Sequence, residues 1–90
     1  MRPMSYRRTE GVLSESADGR AMLAAPDGNE VIVLNDTGTL VWGLLEDHDD
    51  PAQLAQLVHE AYPEIPLDAV TSDVQAFLAE LLAADLVEQT

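Results

Sequence analysis

Short apolar runs separated by turn residues occupy the first part of this chain, and helical spacing of apolar residues takes over near position 35. Val12-Leu13-Ser14-Glu15-Ser16 and Arg20-Ala21-Met22-Leu23-Ala24-Ala25 are joined by Ala17-Asp18-Gly19, and an Asp-Gly pair supplies the positive φ angles of a tight hairpin turn. Pro26-Asp27-Gly28-Asn29 is a second turn signal, and Val31-Ile32-Val33-Leu34 after it is the most β-prone stretch of the sequence. The pattern predicts a three-stranded antiparallel meander.

Asn35-Asp36 can cap a helix in which Thr37, Val41, Leu44 and Leu45 fall on one side, flanked by Leu40 and Trp42. Glu46 to Asp49 reads as a loop. It ends at Asp50-Pro51-Ala52-Gln53, where Asp50 caps, Pro51 takes the first helical position and Gln53 can reach back. Leu54, Leu57, Val58 and Ala61 form the stripe of this second helix, and Tyr62-Pro63 stops it because the residue before a proline disfavours helical geometry. A third helix follows Pro66 and carries Leu67, Val70, Val74, Phe77, Leu78, Leu81 and Leu82 on one side. Those residues span an arc of about 140°, wider than the roughly 100° needed to face one core, so part of the face is available to another surface. Ala83-Ala84-Asp85 ends the helix, and Leu86-Val87-Glu88 is expected to lie back on the core. Three strands followed by three helices make an α+β fold, winged helix-turn-helix-like: a three-stranded antiparallel sheet beside a helical trio. Residues 1–10 read as a flexible N-terminal tail and residues 11–90 as a single domain.

Charge narrows the choice of partners. The chain has 90 residues and a formal net charge of −13; from Thr9 onward only Arg20 opposes seventeen Asp and Glu, and Lys is absent. Such a body repels phosphates and anionic lipid and attracts cationic partners at low salt. No apolar run approaches the roughly 18 residues that cross a bilayer, and the basic N-terminus leads into no apolar signal core, so the expected location is cytoplasmic. Without cysteine, thiolate metal sites and cysteine nucleophiles are excluded.

Catalytic signatures are scarce. His48 lies in the acidic loop and His59 beside the stripe of the second helix, neither with a second histidine at ligand spacing, so both read as surface residues. The Glu46 to Asp50 acids lack the spacing, central glycine and terminal glutamate of a calcium loop. The glycines are scattered among turns and the first helix, without phosphate-binding spacing. Trp42, the sole tryptophan, reads as core. The expectation is therefore a protein with no catalytic residue, no metal and no cofactor. One feature points to binding: an outer strand has an unpaired edge, usually blunted by lysine, proline or a bulge, and Val31-Ile32-Val33 has none of these. Two readings stay open: Val31 to Leu34 is a strand buried under the third helix, or it is an edge to which an extended peptide can add.

Val33-Leu34-Asn35-Asp36-Thr37-Gly38-Thr39-Leu40-Val41-Trp42-Gly43-Leu44-Leu45 resembles the PqqD-like family, which carries a Leu-Asn-x-Thr-Gly/Ala-x-x-Val/Ile-Trp-x-Leu-Leu pattern after its third strand. Leu54-Ala55-Gln56-Leu57-Val58 before Tyr62 is similar to the family's second helix, and Asp73 to Leu82 followed by Asp85-Leu86-Val87-Glu88 to its third helix and tail. The resemblance runs from about Gly11 to Glu88. Two turns depart from it: the acidic loop replaces a glycine after the first helix, and Asp85 stands where a glycine often precedes Leu-Val-Glu.

The resemblance implies a RiPP recognition element, an adaptor that binds the leader peptide of a ribosomally made precursor by strand addition to the third strand beside helix three. As a chain not fused to an enzyme it looks like the discrete leader-binding proteins of lasso peptide biosynthesis, with a separate leader protease and macrolactam cyclase as partners. On that reading Glu30, Val31, Ile32, Val33 and Leu34 form the strand edge; Val74, Phe77, Leu78 and Leu81 line pockets; Asp68 and Asp73 meet basic leader residues. The competing reading is a winged-helix nucleic-acid-binding regulator, which the absence of Lys and Arg from the third helix disfavours. An acidic carrier protein is disfavoured too, because Ser72 stands in Thr-Ser-Asp-Val and not in an Asp-Ser-Leu-type motif.

Overall fold

The computed structural model describes residues 5–28 and 30–90. Its strands are β1 (Tyr6–Arg8), β2 (Leu13–Ala17), β3 (Arg20–Ala24), β4 (Val31–Val33) and β5 (Val87–Gln89), and its helices are α1 (Asp36–Leu44), α2 (Pro51–Ala61) and α3 (Leu67–Ala83). The expected meander is the sheet β2-β3-β4, antiparallel throughout, with Met22 opposite Val33, Leu23 opposite Ile32 and Ala24 opposite Val31. Asp18 and Gly19, at φ 54° and 80°, make its first turn in the left-handed geometry that the Asp-Gly pair predicts. Asn29 of the second turn lies outside the described residues.

α1 and α2 begin where their capping residues place them, whereas α3 follows Pro66 without a side-chain cap. Asn35 Oδ1 accepts from the Gly38 N–H at 2.7 Å, and Asp50 Oδ1 from the Ala52 N–H at 3.0 Å with Pro51 at the first helical position. α3 ends in a Schellman turn: the Leu86 N–H reaches the Leu81 carbonyl at 2.9 Å and the Asp85 N–H reaches Leu82 at 3.1 Å. The residue at the left-handed position of this motif is usually glycine. Here it is Asp85, at φ 60°, one of the few residue types that tolerate that conformation.

Leu23, Val41, Leu54, Val58, Val74, Leu78, Leu81 and Leu86 are the largest fully buried side chains, and they come from β3, all three helices and the α3–β5 turn. Trp42 is core, as expected: it is 3% exposed and its indole N–H donates to Ser14 Oγ at 3.1 Å. Leu86 and Val87 lie back on the core, also as expected.

The N-terminal segment departs from the sequence reading. Residues 1–4 of the expected tail lie outside the described residues, but Tyr6–Arg8 is a strand paired antiparallel with β5, Arg8 facing Val87. Its residues show no apolar alternation, and its partner lies some eighty positions away, so no local signal marks it. Polar contacts hold it instead. Arg8 Nε donates to the Trp42 carbonyl at 3.1 Å, its Nη2 bonds the same oxygen, and its guanidinium lies 4.5 Å from the Trp42 ring centroid. Arg7 pairs with Glu88 at 2.8 Å on the exposed side.

Two substitutions test this account. Arg8→Ala removes a charge-assisted bond and a cation–π contact and should destabilise the fold by about 1–2 kcal/mol in urea unfolding. Asp85→Gly relieves the left-handed residue and should stabilise it by about 0.5–1 kcal/mol. That gain is visible as a rise of several degrees in the thermal midpoint.

Candidate functional site

The path of the backbone from β4 into α1 determines what the sheet edge offers. The Leu34 N–H donates to the Ala21 carbonyl at 2.8 Å, which makes Ala21 and Leu34 a hydrogen-bonded pair of the antiparallel ladder. Such pairs alternate with non-bonded ones, so Leu23–Ile32 is bonded, whereas Met22–Val33 and Ala24–Val31 are not. The backbone groups of Ile32 therefore point toward β3. Those of Val31 and Val33 point away from it, and β4 is the last strand of its sheet. The side chains follow the same alternation: Val31 is 63% and Val33 56% exposed, while Ile32 packs against the core. Val31 and Val33 are thus not buried under α3, whereas Leu34 of the same stretch is buried in the core.

Two residues beyond Val33 the edge runs into a cleft of about 340 Å³ between α1 and α3. Asn35, Thr37, Gly38 and Val41 form one wall; Asp73, Val74, Ala76, Phe77 and Glu80 form the other. The apolar surface comes from Ala76 and Phe77, over the buried Val41 and Val74. Asp73 and Glu80 are exposed at the rim. Among the described residues no basic one lines the cleft, and Arg20, the one Lys or Arg beyond β1, lies 4.0 Å from Asp36 at the start of α1. Among the described residues no group of three His, Cys, Asp or Glu is placed to hold a metal ion. His59 serves the fold, with Nδ1 2.8 Å from the Ile65 carbonyl that follows α2. No helix among the described residues is long and apolar enough to cross a membrane.

The expected site residues separate into three groups. Glu30, Val31 and Val33 are exposed at the sheet edge, and Asp73, Val74 and Phe77 line the cleft. Asp68 is exposed in the first turn of α3 but is not part of the cleft wall. Ile32, Leu34, Leu78 and Leu81 turn inward; Leu34 is 4% exposed and Leu78 and Leu81 are 1% each. Leu78 and Leu81 are thus core residues and not pocket residues. At about 100° per residue, Leu78 lies a quarter-turn round from Phe77 on the side away from Asp73, Ala76 and Glu80. The wide apolar arc of α3 covers the core with most of its width and reaches the cleft at Phe77 on its margin and at the buried Val74.

The sequence reading missed Glu80, which shares the Asp73 and Phe77 side of α3 at i+7 and i+3 and was available from the same wheel. It also missed the α1 wall, whose residues carry a cap-and-core pattern with no mark of a second role.

Comparison with known proteins places this geometry in a family. A solved structure described as TbiB1 in complex with the TbiA(beta) leader peptide matches with a TM-score of 0.83 at 23% identity, over 91% of this chain and 94% of that one. A lasso peptide synthetase B1 complexed with the leader peptide matches with a TM-score of 0.78 at 25% identity, over 92% and 96%. The PqqD truncation of Methylobacterium extorquens PqqCD, a stand-alone RiPP recognition element solved by NMR, matches with a TM-score of 0.75 at 23% identity, over 93% and 88%. No curated protein matches the chain. These structures share its fold, and the family model for coenzyme PQQ synthesis protein D matches residues 20–87, well over half the sequence. The chain belongs to the PqqD family.

Proposed function

We propose that this protein binds the leader segment of a ribosomally synthesised precursor peptide, which adds as a strand to the open edge of β4 and seats a side chain in the cleft between α1 and α3. The observation that carries the reading is the continuity of the two features: outward-facing backbone at Val31 and Val33 leads within two residues to the cleft wall at Asn35. The likeness to two structures whose descriptions name a bound leader peptide supports it. The protein acts as an adaptor, holding the precursor for separate modifying enzymes. In a lasso peptide system these are a leader protease and a macrolactam cyclase. A net charge of −13, with Asp73 and Glu80 at the rim, favours a leader with basic residues.

Magnitudes show why both features are needed. Val31 and Val33 offer four backbone groups, and at a net value of about 1 kcal/mol per hydrogen bond they do not offset the roughly 4–15 kcal/mol cost of association. Burial of one large apolar side chain in the cleft adds about 1.5–3 kcal/mol. Strand addition fixes the register of the peptide, and the cleft adds to the affinity.

A fluorescein-labelled leader, synthesised from the precursor encoded in the same gene cluster, should bind saturably in fluorescence anisotropy. Val33→Pro removes an N–H that faces the open edge and leaves the β3 bonds of Ile32 in place, so the variant should fold and bind at least ~10-fold more weakly. Phe77→Ala should weaken binding by a similar factor through the cleft. Unchanged affinity in folded Val33→Pro would put the peptide elsewhere on the molecule.

A further inference from the structure

Gly38 lies inside α1, is buried, and has no positive φ that would require glycine. Alanine has the higher helix propensity, so propensity does not explain a glycine in the first turn of α1 and its surroundings offer the reason. A Cβ at this position would lie 3.1 Å from Phe77 Cε1, 3.2 Å from Phe77 Cζ and 3.1 Å from Asn35 Oδ1. Carbon atoms in favourable contact sit about 3.5–4.0 Å apart. Gly43 in the same helix is different: a Cβ there meets nothing within 4 Å.

Both neighbours of the absent methyl group line the cleft. Asn35 is held by its bond to the Gly38 N–H, whereas the half-buried Phe77 ring borders open space on the cleft side. We propose that Gly38 is a specificity-determining residue: by letting the Phe77 ring lie against α1 it sets the width of the cleft, and thus the size of the peptide side chain the cleft admits. This rests on the leader-binding reading. A methyl group at position 38 requires the ring to give by a few tenths of an ångström toward the cleft, narrowing it and disfavouring a bulky apolar anchor, while Val31 and Val33 of the strand edge are not among its nearest contacts.

Phe77 is the sole phenylalanine, so ring-13C phenylalanine gives signals from this one residue. In the unliganded protein Gly38→Ala should shift the Phe77 ring resonances and Gly43→Ala should leave them in place. With the fluorescein-labelled leader of the same gene cluster, Gly38→Ala should weaken binding about 10-fold and Gly43→Ala less than twofold. In a Phe77→Leu background the added Gly38→Ala should change the affinity less than twofold, because the ring that transmits the effect is gone. A folded Gly38→Ala variant that binds within twofold of the wild type, or that loses the same factor without Phe77, overturns the proposal. If Gly38→Ala alone unfolds, recovery of folding in the double variant supports the Gly38–Phe77 contact, and no recovery overturns it. A wild-type chain that does not bind the leader overturns the leader-binding reading instead. The unliganded Phe77 resonances then decide for Gly38, and unmoved resonances overturn it.

Discussion

The site depends on where the backbone of Ala21 sends its hydrogen bonds. Its carbonyl accepts from Leu34, the last ladder bond between β3 and the chain leaving β4, while its N–H donates to Thr39 Oγ1 at 3.0 Å. A side chain of α1 thus takes the donor that would otherwise bond the Leu34 carbonyl. The ladder ends there, the chain is free to turn at Asn35, and α1 is tied to the sheet it has just left. The same pair sets the phase of the alternation, so Val31 and Val33 present both backbone groups outward. A slip of one residue would turn Ile32 out and bury the valines.

Most of the fold was legible because its signals are local. The Asp-Gly turn, the Asn35 and Asp50 caps and the Tyr62-Pro63 stop are each decided within a few residues, and each element sits where those residues put it. β1 was not legible, because Tyr6-Arg7-Arg8 becomes a strand only through Trp42 and β5, partners set by the completed fold. The site divides the same way. The exposed valines of β4 follow from strand alternation, but the division of the α3 arc between core and cleft depends on where α1 packs, so nothing in the sequence separates the buried Leu78 and Leu81 from the cleft residues or marks Glu80. Gly38 stands in the motif that resembles the family's, but nothing in the sequence shows how closely it faces the Phe77 ring.

An open strand edge bearing exposed valines is the feature that natural sheets usually suppress, because it pairs with other copies of itself. Charge supplies a restraint here. Glu30 and Asp36 bracket the edge, and a body with a net charge of −13 repels a second copy at moderate salt while attracting a basic peptide. The same charge distribution therefore protects the edge from self-association and leaves it available to a partner of opposite sign.

The pairing of β1 with β5 has a bearing on assembly. Ser5 and Thr90 exchange both backbone hydrogen bonds, at 3.2 and 2.9 Å, so the two ends of the described chain lie side by side. A tether to another protein would therefore leave the body at nearly the same point whether it were joined before β1 or after β5. With so small a gap to bridge, the fold is suited to insertion into a surface loop of a larger enzyme, or to joining its own ends and reopening the chain at a turn.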